Sequence, residues 1–392
     1  GLGVYDAGTS NLRCSCSFTV SEVDTYDSDY ATPKDTYSIG ETVYAKAKYL
    51  PTQGSVWLSG WDKRVKLAID QNEINSDLSN FPLLIYLGTS SGRNNDDVSF
   101  IFDELQSDDN RKKIAVTTSN KITQCYVEIE RWNDTAEEAW LWVKVPVVNS
   151  TVDTDLYLYY DRDHADNTAY VGDTNSAAAE NVWDADFKGV WHLPEDPSGT
   201  PPQIRDSTSN NNDGTSESSM TPNDQVPGKI DGSLEFDNVD DYVEMGDPSS
   251  LNMGTSNFTI EAWVKLNAST TENWPTIVDK GAGSPTEPGY WFFWYHSYTP
   301  PFIRLTISNG TQRIEVDDQD TDVEDGSWYY VVGVVDRGAN GTIYVNGSLT
   351  ATEDFSSFEG SIDAAYNFTL SCATDDRAVW DGVLDEVRVS KT

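Results

Sequence analysis

Basic residues are scarce in this chain. Twenty-six Lys and Arg stand against 65 Asp and Glu in 392 residues, for a formal net charge of −39. Nucleic acid and anionic membrane surfaces are bound through basic patches, so neither is an expected partner. The balance suits a solvated surface, divalent-cation binding or repulsion between soluble copies. Long apolar runs are also missing. The longest, WYYVVGVV at 328–335, is far short of the ~20 residues of a membrane helix, so no membrane span is expected. The three histidines, His164, His192 and His296, lie far apart and offer no metal-ligand spacing. Neither a Ser/His/Asp or Cys/His constellation nor a Gly-rich phosphate loop is visible. Four cysteines in a chain of this length imply domains that fold without a dense disulfide frame. The chain starts with Gly rather than Met, which suggests a leader already removed.

Aromatic residues are plentiful, with 13 Trp, 20 Tyr and 13 Phe, so the acidity is not that of a disordered tail. Asn-x-Ser/Thr sequons occur at Asn133, Asn149, Asn257, Asn267, Asn309, Asn340, Asn346 and Asn367. They point to a secreted protein, although Asn-Gly-Ser/Thr at 309, 340 and 346 is also turn chemistry. Most of the chain reads as strand. In ETVYAKAKYL (41–50) small and aromatic residues alternate with polar ones, and RVKLAI (64–69), VSFIFDE (98–104), AWLWVKVP (139–146), DLYLYYD (155–161) and SVWLSGW (55–61) read likewise. One helix is expected, over SAAAENVWDADF (176–187), from its Ser cap and Ala run. Short strands then resume to the end, the pattern of sandwiches or barrels. Boundaries near residues 60 and 187 divide the chain into segments 1–60, 61–187 and 188–392.

The last segment resembles a laminin-G-like, concanavalin-A-type jelly roll. The matching residues, in order, are GVWHL (189–193), IRDSTSNNNDGT (204–215), GKIDGSLEFDNVDDYVEM (228–245), FTIEAWVKL (258–266), WYYVVGVVD (328–336), IYVNGSL (343–349) and DGVLDEVRVS (381–390). Residues 61–165 resemble a prokaryotic domain of unknown function, family number 2341, through WDKRVKLAI, NFPLLIYL, DDVSFIF, CYVEIERW, AWLWVKVPVV and TDLYLYYD. Such domains precede laminin-G-like modules in large archaeal and bacterial surface proteins. The segment PKDTYSIGETVYAKAKYL (33–50) resembles fragments of Ig-like repeats of archaeal surface proteins. The expected fold is therefore all-β: an incomplete Ig-like N-terminal sandwich, a central β-sandwich and a C-terminal concanavalin-A-like jelly roll.

The resemblance implies three kinds of site chemistry. Laminarinase-type hydrolases share the jelly roll and carry a Glu-x-Asp-x-x-Glu strand, which Glu235, Asp237 and Asp240 imitate with Asp in the third place. The alternative is a turn with Phe236 packed inward, and no catalysis is expected. Concanavalin-A-type sandwiches often hold a structural Ca2+ between an early loop and the closing strand. Asp206 and Asp385 match those places, with Asp237 and Asp241 as further candidates, unless these acids cap turns. Sugar binding is the usual suggestion for the fold. GYWFFWYH (289–296) offers Tyr290, Phe292 and Trp294 on one face and Trp291, Phe293 and Tyr295 on the other. Trp291 and Trp294 are the expected stacking rings, against the alternative of a strand buried on both faces.

Sixty residues are too few for a complete Ig-like sandwich, and an incomplete one has open edges that pair with other chains. RCSCSF (13–18) places Cys14 and Cys16 on one face of a strand, where they cannot bond to each other but can bond outward. Cys125 and Cys372 are the remaining partners within the chain, unless both are plain buried thiols. The expected protein is a secreted, non-enzymatic cell-surface protein that self-assembles into a filament or layer through its N-terminal region and displays the jelly roll. A carbohydrate-binding adhesin module is the alternative, and a laminarinase-type glycoside hydrolase a weaker one. Partners are then other copies of the chain, or glycans.

Overall fold

The computed structural model describes residues 57–391, apart from 218, 268–273, 282–285, 297–300, 320, 322, 324 and 373–378, together with the backbone pairing of three short strands before residue 57. The described residues fall into two compact units, one within Arg13–Val182 and one within Trp183–Thr392. Both are built mainly of strands, with a few short helical turns.

In the first unit, a five-stranded sheet runs in the order Cys16–Thr19, Arg64–Ile69, Thr154–Tyr160, Ile114–Thr118, Gln124–Cys125. A four-stranded sheet runs Val171–Asp173, Val127–Asn133, Glu138–Val148, Leu78–Leu87. Alternation explains the strands: Val65, Leu67 and Ile69 are buried, as are Ala139, Leu141, Val143 and Val145. Cys16–Thr19 is an edge strand, antiparallel to Arg64–Ile69 with Cys16 opposite Ile69 and Thr19 opposite Lys66. The expected strands at Cys14 and at residues 1–6 lie outside the described residues.

Three local expectations change. VSFIFDE is not a strand; Phe100–Leu105 is a helix that buries Ile101, Phe102 and Leu105 on one face. A short apolar run carries too little periodicity to separate the two states. The helix expected over 176–187 is limited to Ala177–Glu180, with the Ser176 hydroxyl accepting from the Ala179 N–H at 3.3 Å. Asn181 and Asp184 then bond to the backbone themselves, to the Ala177 carbonyl at 2.6 Å and the Asp186 N–H at 3.0 Å, and compete with helix continuation. SVWLSGW forms no strand over 57–60. Instead the Arg64 guanidinium lies 4.1 Å from the Trp57 ring and 4.7 Å from Tyr157.

In the second unit the described strands are antiparallel and form two sheets. The eight-stranded one runs Gln225–Pro227, Gly232–Asp237, Asp381–Lys391, Phe258–Leu266, Tyr329–Val335, Asn340–Val345, Ser348–Asp354, with Phe187–Trp191 also paired to Asp381–Lys391. The seven-stranded one runs Thr215–Ser216, Val243–Glu244, Thr369–Leu370, Thr276–Gly281, Pro288–Tyr295, Phe302–Asn309, Arg313–Asp318. The core between them takes alternate residues of each: Ile260, Ala262 and Val264 from one, Phe292, Leu305 and Ile307 from the other. Asn346-Gly347 turns one hairpin with φ of 49° and 80°, as a two-residue turn demands.

Phe236 is fully buried in this core. Phe236→Ala is expected to cost about 3–5 kcal/mol in a chemical-denaturation midpoint analysis; a loss below about 1 kcal/mol would mean that the ring faces solvent.

Candidate functional site

Strand Pro288–Tyr295 sends Tyr290, Phe292 and Trp294 into the core. Trp291, Phe293 and Tyr295 therefore lie on the opposite face of the seven-stranded sheet. Register builds that face in rows. Asp279 pairs with Trp291, Trp291 with Thr306, and Thr306 with Glu315. Phe293 pairs with Arg304 and Arg304 with Asp317, and Tyr295 pairs with Phe302.

The last two rows make an aromatic shelf. Tyr295 and Phe302 stack with ring centroids 5.1 Å apart and planes 5° from parallel. The Arg304 guanidinium lies 5.0 Å from each ring. Asp317 grips it from the neighbouring strand, at 2.6 Å to Nε and 2.7 Å to Nη2, and Glu315 takes Nη1 at 3.0 Å. Trp274 extends the shelf, 6.1 Å from Tyr295 and 46% exposed. Phe293 and Tyr295 are half-buried.

The expected stacking rings are not available for stacking. Trp294 is fully buried in the core, and Trp291 is 6% exposed. Trp291 lies against the backbone of Gly281 and Gly289, where an added Cβ at Gly281 would come within 2.4 Å of the indole. Sugars stack on exposed rings, and the aromatic side chains with surface left on this shelf are Trp274, which is exposed, and Phe293 and Tyr295, which are half-buried. GYWFFWYH did assign Phe293 and Tyr295 to one face; Trp274 precedes the strand and carries no pattern. Arg304, flanked by Ile303 and Leu305 in FIRLTIS, was a charge on the outer side of an apolar strand and the signal most readily used. In the neighbouring row, Trp291 Nε1 and Thr306 Oγ1 are buried without a hydrogen-bond partner. Each such group costs about 1–3 kcal/mol.

The expected acidic sites separate. Asp206 is fully buried and accepts from the Val190 and Thr208 N–H at 3.0 and 2.9 Å on Oδ1, and from the Thr208 hydroxyl and Asn212 N–H at 2.9 and 2.8 Å on Oδ2. Those four donors fill its lone pairs, so it does not fit as a calcium ligand. Asp385 Oδ2 takes the Lys229 and Ile230 N–H at 2.6 and 2.9 Å. Burial, then neighbouring Glu386, pushes its carboxyl well above the usual range. Among the described residues, Asp385 belongs to no group of three His, Cys, Asp or Glu side chains close enough to share one ion. Asp237 and Asp241 do meet, with Asp240, their oxygens within 4.8 Å of one another.

The hydrolase-like strand is not formed. Gly232–Asp237 ends before Asp240, and Asp237 Oδ1 accepts from the Val239 N–H at 2.9 Å in an Asx turn. Cys125 and Cys372 are both buried, the alternative weighed against a disulfide role for them. Burial pushes the Cys125 thiol up to about 12. Cys14 lies outside the described residues, and only the backbone of Cys16 is described. Of the eight sequon asparagines, Asn340 is exposed, while Asn133, Asn149, Asn257, Asn267, Asn309, Asn346 and Asn367 are half-buried. Asn257, Asn267 and Asn309 donate their amides to Asp336, Asp381 and the Glu359 carbonyl at 3.2, 2.9 and 2.6 Å. Asn346 forms the hairpin turn and accepts from the Tyr330 N–H at 3.0 Å.

Residues 236–392 match the family model of the concanavalin A-like lectin/glucanases superfamily. The C-terminal unit carries a concanavalin A-like jelly roll. No curated protein matches the chain. Among solved structures, the binding domain of a paraclostridial mosquitocidal protein is similar at 13% identity and a TM-score of 0.41, over 53% of this chain and 49% of that one. The binding domain of botulinum neurotoxin serotype G is similar at 15% and 0.38, over 52% and 47%. Domain 4 of an extracellular arabinanase from Geobacillus stearothermophilus, solved with arabinotriose, is similar at 18% and 0.39, over 53% and 92%. The chain spans about half the length of the two toxin domains. Likeness at this level bears on architecture alone. Among the described residues, no helix is long and apolar enough to cross a membrane.

Burial, then the charges of Asp237 and Asp224, pushes the Asp241 carboxyl up to about 6. The folded state thus holds this proton more tightly than the unfolded chain, whose carboxyl titrates near ~3.9. The resulting stability is full below about pH 4 and is lost as pH rises through about 6. In melting-temperature profiles from pH 4 to 7, Asp241→Asn is expected to lack this decline relative to the parent. Ca2+ held by the three carboxylates would restore the parent's melting temperature above pH 6; unchanged melting would remove the ion from this turn.

Proposed function

We propose that the jelly roll is a non-catalytic carbohydrate-binding module of an extracellular surface protein. The observation that carries this is the shelf formed by Trp274, Phe293 and Tyr295 beside the Arg304–Asp317 pair. Rings of this kind offer a flat apolar surface to the C–H face of a sugar, and the charged pair beside them supplies polar contacts at the edge. The EFDNVD segment supports binding without hydrolysis, since its strand ends at Asp237 and Asp240 is not part of it. Covering about 50–60 Å² of one ring is worth about 1.4 kcal/mol, or tenfold in affinity. Trp274→Ala and Tyr295→Ala are each expected to weaken binding on a glycan array by about that factor, with the melting temperature little changed for exposed Trp274. An array on which the parent binds nothing would overturn the proposal.

A second reading concerns assembly, and one observation favours it. The four-residue strand Cys16–Thr19 forms the edge of the five-stranded sheet, and a long stretch of chain, residues 20–63, separates it from its partner strand Arg64–Ile69. An edge strand separated from its partner by so many residues can be contributed by another copy as readily as by its own. We propose that copies polymerise by exchanging this strand, in a surface protein of the architecture that residues 61–165 resemble. Phe18→Pro, in the middle of the paired segment, is expected to weaken this strand's pairing and to leave only monomers in light scattering, where the parent forms large species. A parent that is strictly monomeric at every concentration would end this reading.

A further inference from the structure

Three sequons are Asn-Gly-Ser/Thr, a sequence that turn chemistry alone can explain, and the fold separates the two explanations. At 346 the turn accounts for both residues. Asn346 and Gly347 hold φ of 49° and 80°, and Asn346 Oδ1 accepts from the Tyr330 N–H at 3.0 Å. At 309 it does so again. Gly310 holds a φ of 82°, and Asn309 Oδ1 accepts from the Thr311 and Gln312 N–H at 2.8 and 2.6 Å. At 340 no such reason exists. Neither Asn340 nor Gly341 has a positive φ, and both belong to strand Asn340–Val345. Gly341 is accounted for by packing, since an added Cβ would come within 2.4 Å of Phe355 and 2.7 Å of Val316. Asn340 itself is exposed, and among the described residues its side chain has no hydrogen-bond partner.

The other sequons each have a structural role or a closed surround. Asn257 and Asn267 donate their amides to Asp336 and Asp381, and Asn149 donates to the Thr154 hydroxyl at 3.3 Å. Asn133 is half-buried, with its Oδ1 accepting from the Ala136 N–H at 2.9 Å. Asn367 is followed by buried Phe368 and Thr369, and the Thr369 hydroxyl donates to the Cys372 carbonyl. A sugar on an amide nitrogen replaces one of its two N–H groups with a bulky polar body, which a packed site cannot house. Asn340 has the room. It follows a turn in which Gly338 and Ala339 are exposed, closed by the Asp336 N–H donating to the Asn340 carbonyl at 3.0 Å. Gly341, Ile343 and Val345 are buried, so Asn340 and Thr342 lie together on the outer face of the eight-stranded sheet. The aromatic shelf belongs to the other sheet, and a glycan here leaves it open.

We infer that Asn340 is an N-glycosylation site, the acceptor of an oligosaccharide from a lipid-linked phosphate or diphosphate donor. Its Nδ2 attacks C1 of the first sugar. The C1–N bond forms as the C1–O bond to phosphate breaks, and the lipid phosphate leaves with that electron pair. One amide proton passes to a base of the transferase, and the other stays on the nitrogen. The inference rests on the extracellular reading above, because such transfer occurs on exported chains.

Peptide mass spectrometry of the full chain isolated from its native source, with fragmentation that keeps side-chain groups attached, tests it. A glycan is expected on Asn340, with Asn257, Asn267, Asn309, Asn346 and Asn367 bare. In unglycosylated recombinant chain, Asn340→Gln is expected to melt within about 2 °C of the parent, as a surface change does. Asn257→Gln, which disturbs bonds to Asp336 and Arg337, is expected to melt lower by more than that. A bare Asn340 beside a glycosylated sequon elsewhere would overturn the choice of site and leave the extracellular reading standing. Deamidation at Asn340 without sugar, the ordinary decay of an exposed Asn-Gly pair, would overturn it as well. So would a large drop in melting temperature for Asn340→Gln, which would give the residue a structural role. Absence of sugar at every sequon would overturn the inference and withdraw the sequons as support for an extracellular protein, while the glycan array judges carbohydrate binding independently.

Discussion

The Arg388 guanidinium, 8% exposed, is held between two carboxylates, and much of the C-terminal unit is tied through it. Its Nη2 meets Glu386 at 2.6 Å and its Nη1 meets Glu261 at 3.2 Å. Glu386 in turn bonds His192 Nδ1 at 2.7 Å, and Glu261 accepts from the Tyr330 hydroxyl at 2.6 Å. Four segments of the eight-stranded sheet region are thus joined through buried charge: the chain just after Phe187–Trp191, and strands Phe258–Leu266, Tyr329–Val335 and Asp381–Lys391. Such a network contributes little net stability against an apolar core of equal volume, but losing one partner is severe, at about 3–5 kcal/mol. It therefore acts on register more than on affinity between layers. Asp381–Lys391 pairs with three strands at once, and a slip there would turn core residues such as Leu384, Val387 and Val389 outward.

Much of the fold was legible because strands advertise themselves by alternation. FTIEAWVKL and RVKLAI occupy the strands they suggested, and the Asn-Gly of IYVNGSL turns a hairpin as its chemistry requires. Short apolar runs were ambiguous. VSFIFDE became a helix because Ile101, Phe102 and Leu105 share a face only at helical spacing. Likewise the Ala run after Ser176 stopped within a turn, because the Asn and Asp that follow bond to the backbone themselves.

The site was legible by face and not by exposure. Alternation in GYWFFWYH separates its rings into two sets, but burial depends on what lies above each residue, and no periodicity records that. The large indoles drew attention as stacking surfaces, whereas one became core and the other was laid flat on glycines. Carboxylates misled for a related reason. Asp206 reads as a ligand through the resemblance to calcium-holding sandwiches, yet its environment is a ring of amide and hydroxyl donors, which only the loop's path creates. Arg304 and Asp317 meet because register places them opposite each other, and register is set by the whole sheet.

The packing of Trp291 on Gly281 and Gly289 has a consequence for how this sheet can diverge. A side chain at either glycine would collide with the indole or with adjacent backbone, and Gly289 also holds a φ of 150° that other residues rarely adopt. The three positions are therefore coupled in what they tolerate. While the tryptophan is present, Gly281 is fixed by its bulk; once a smaller residue replaces it, Gly281 is free to change, whereas Gly289 stays constrained by its own backbone. Later restoration of the tryptophan would then be blocked, so the order in which the substitutions arise decides which of them can be reversed.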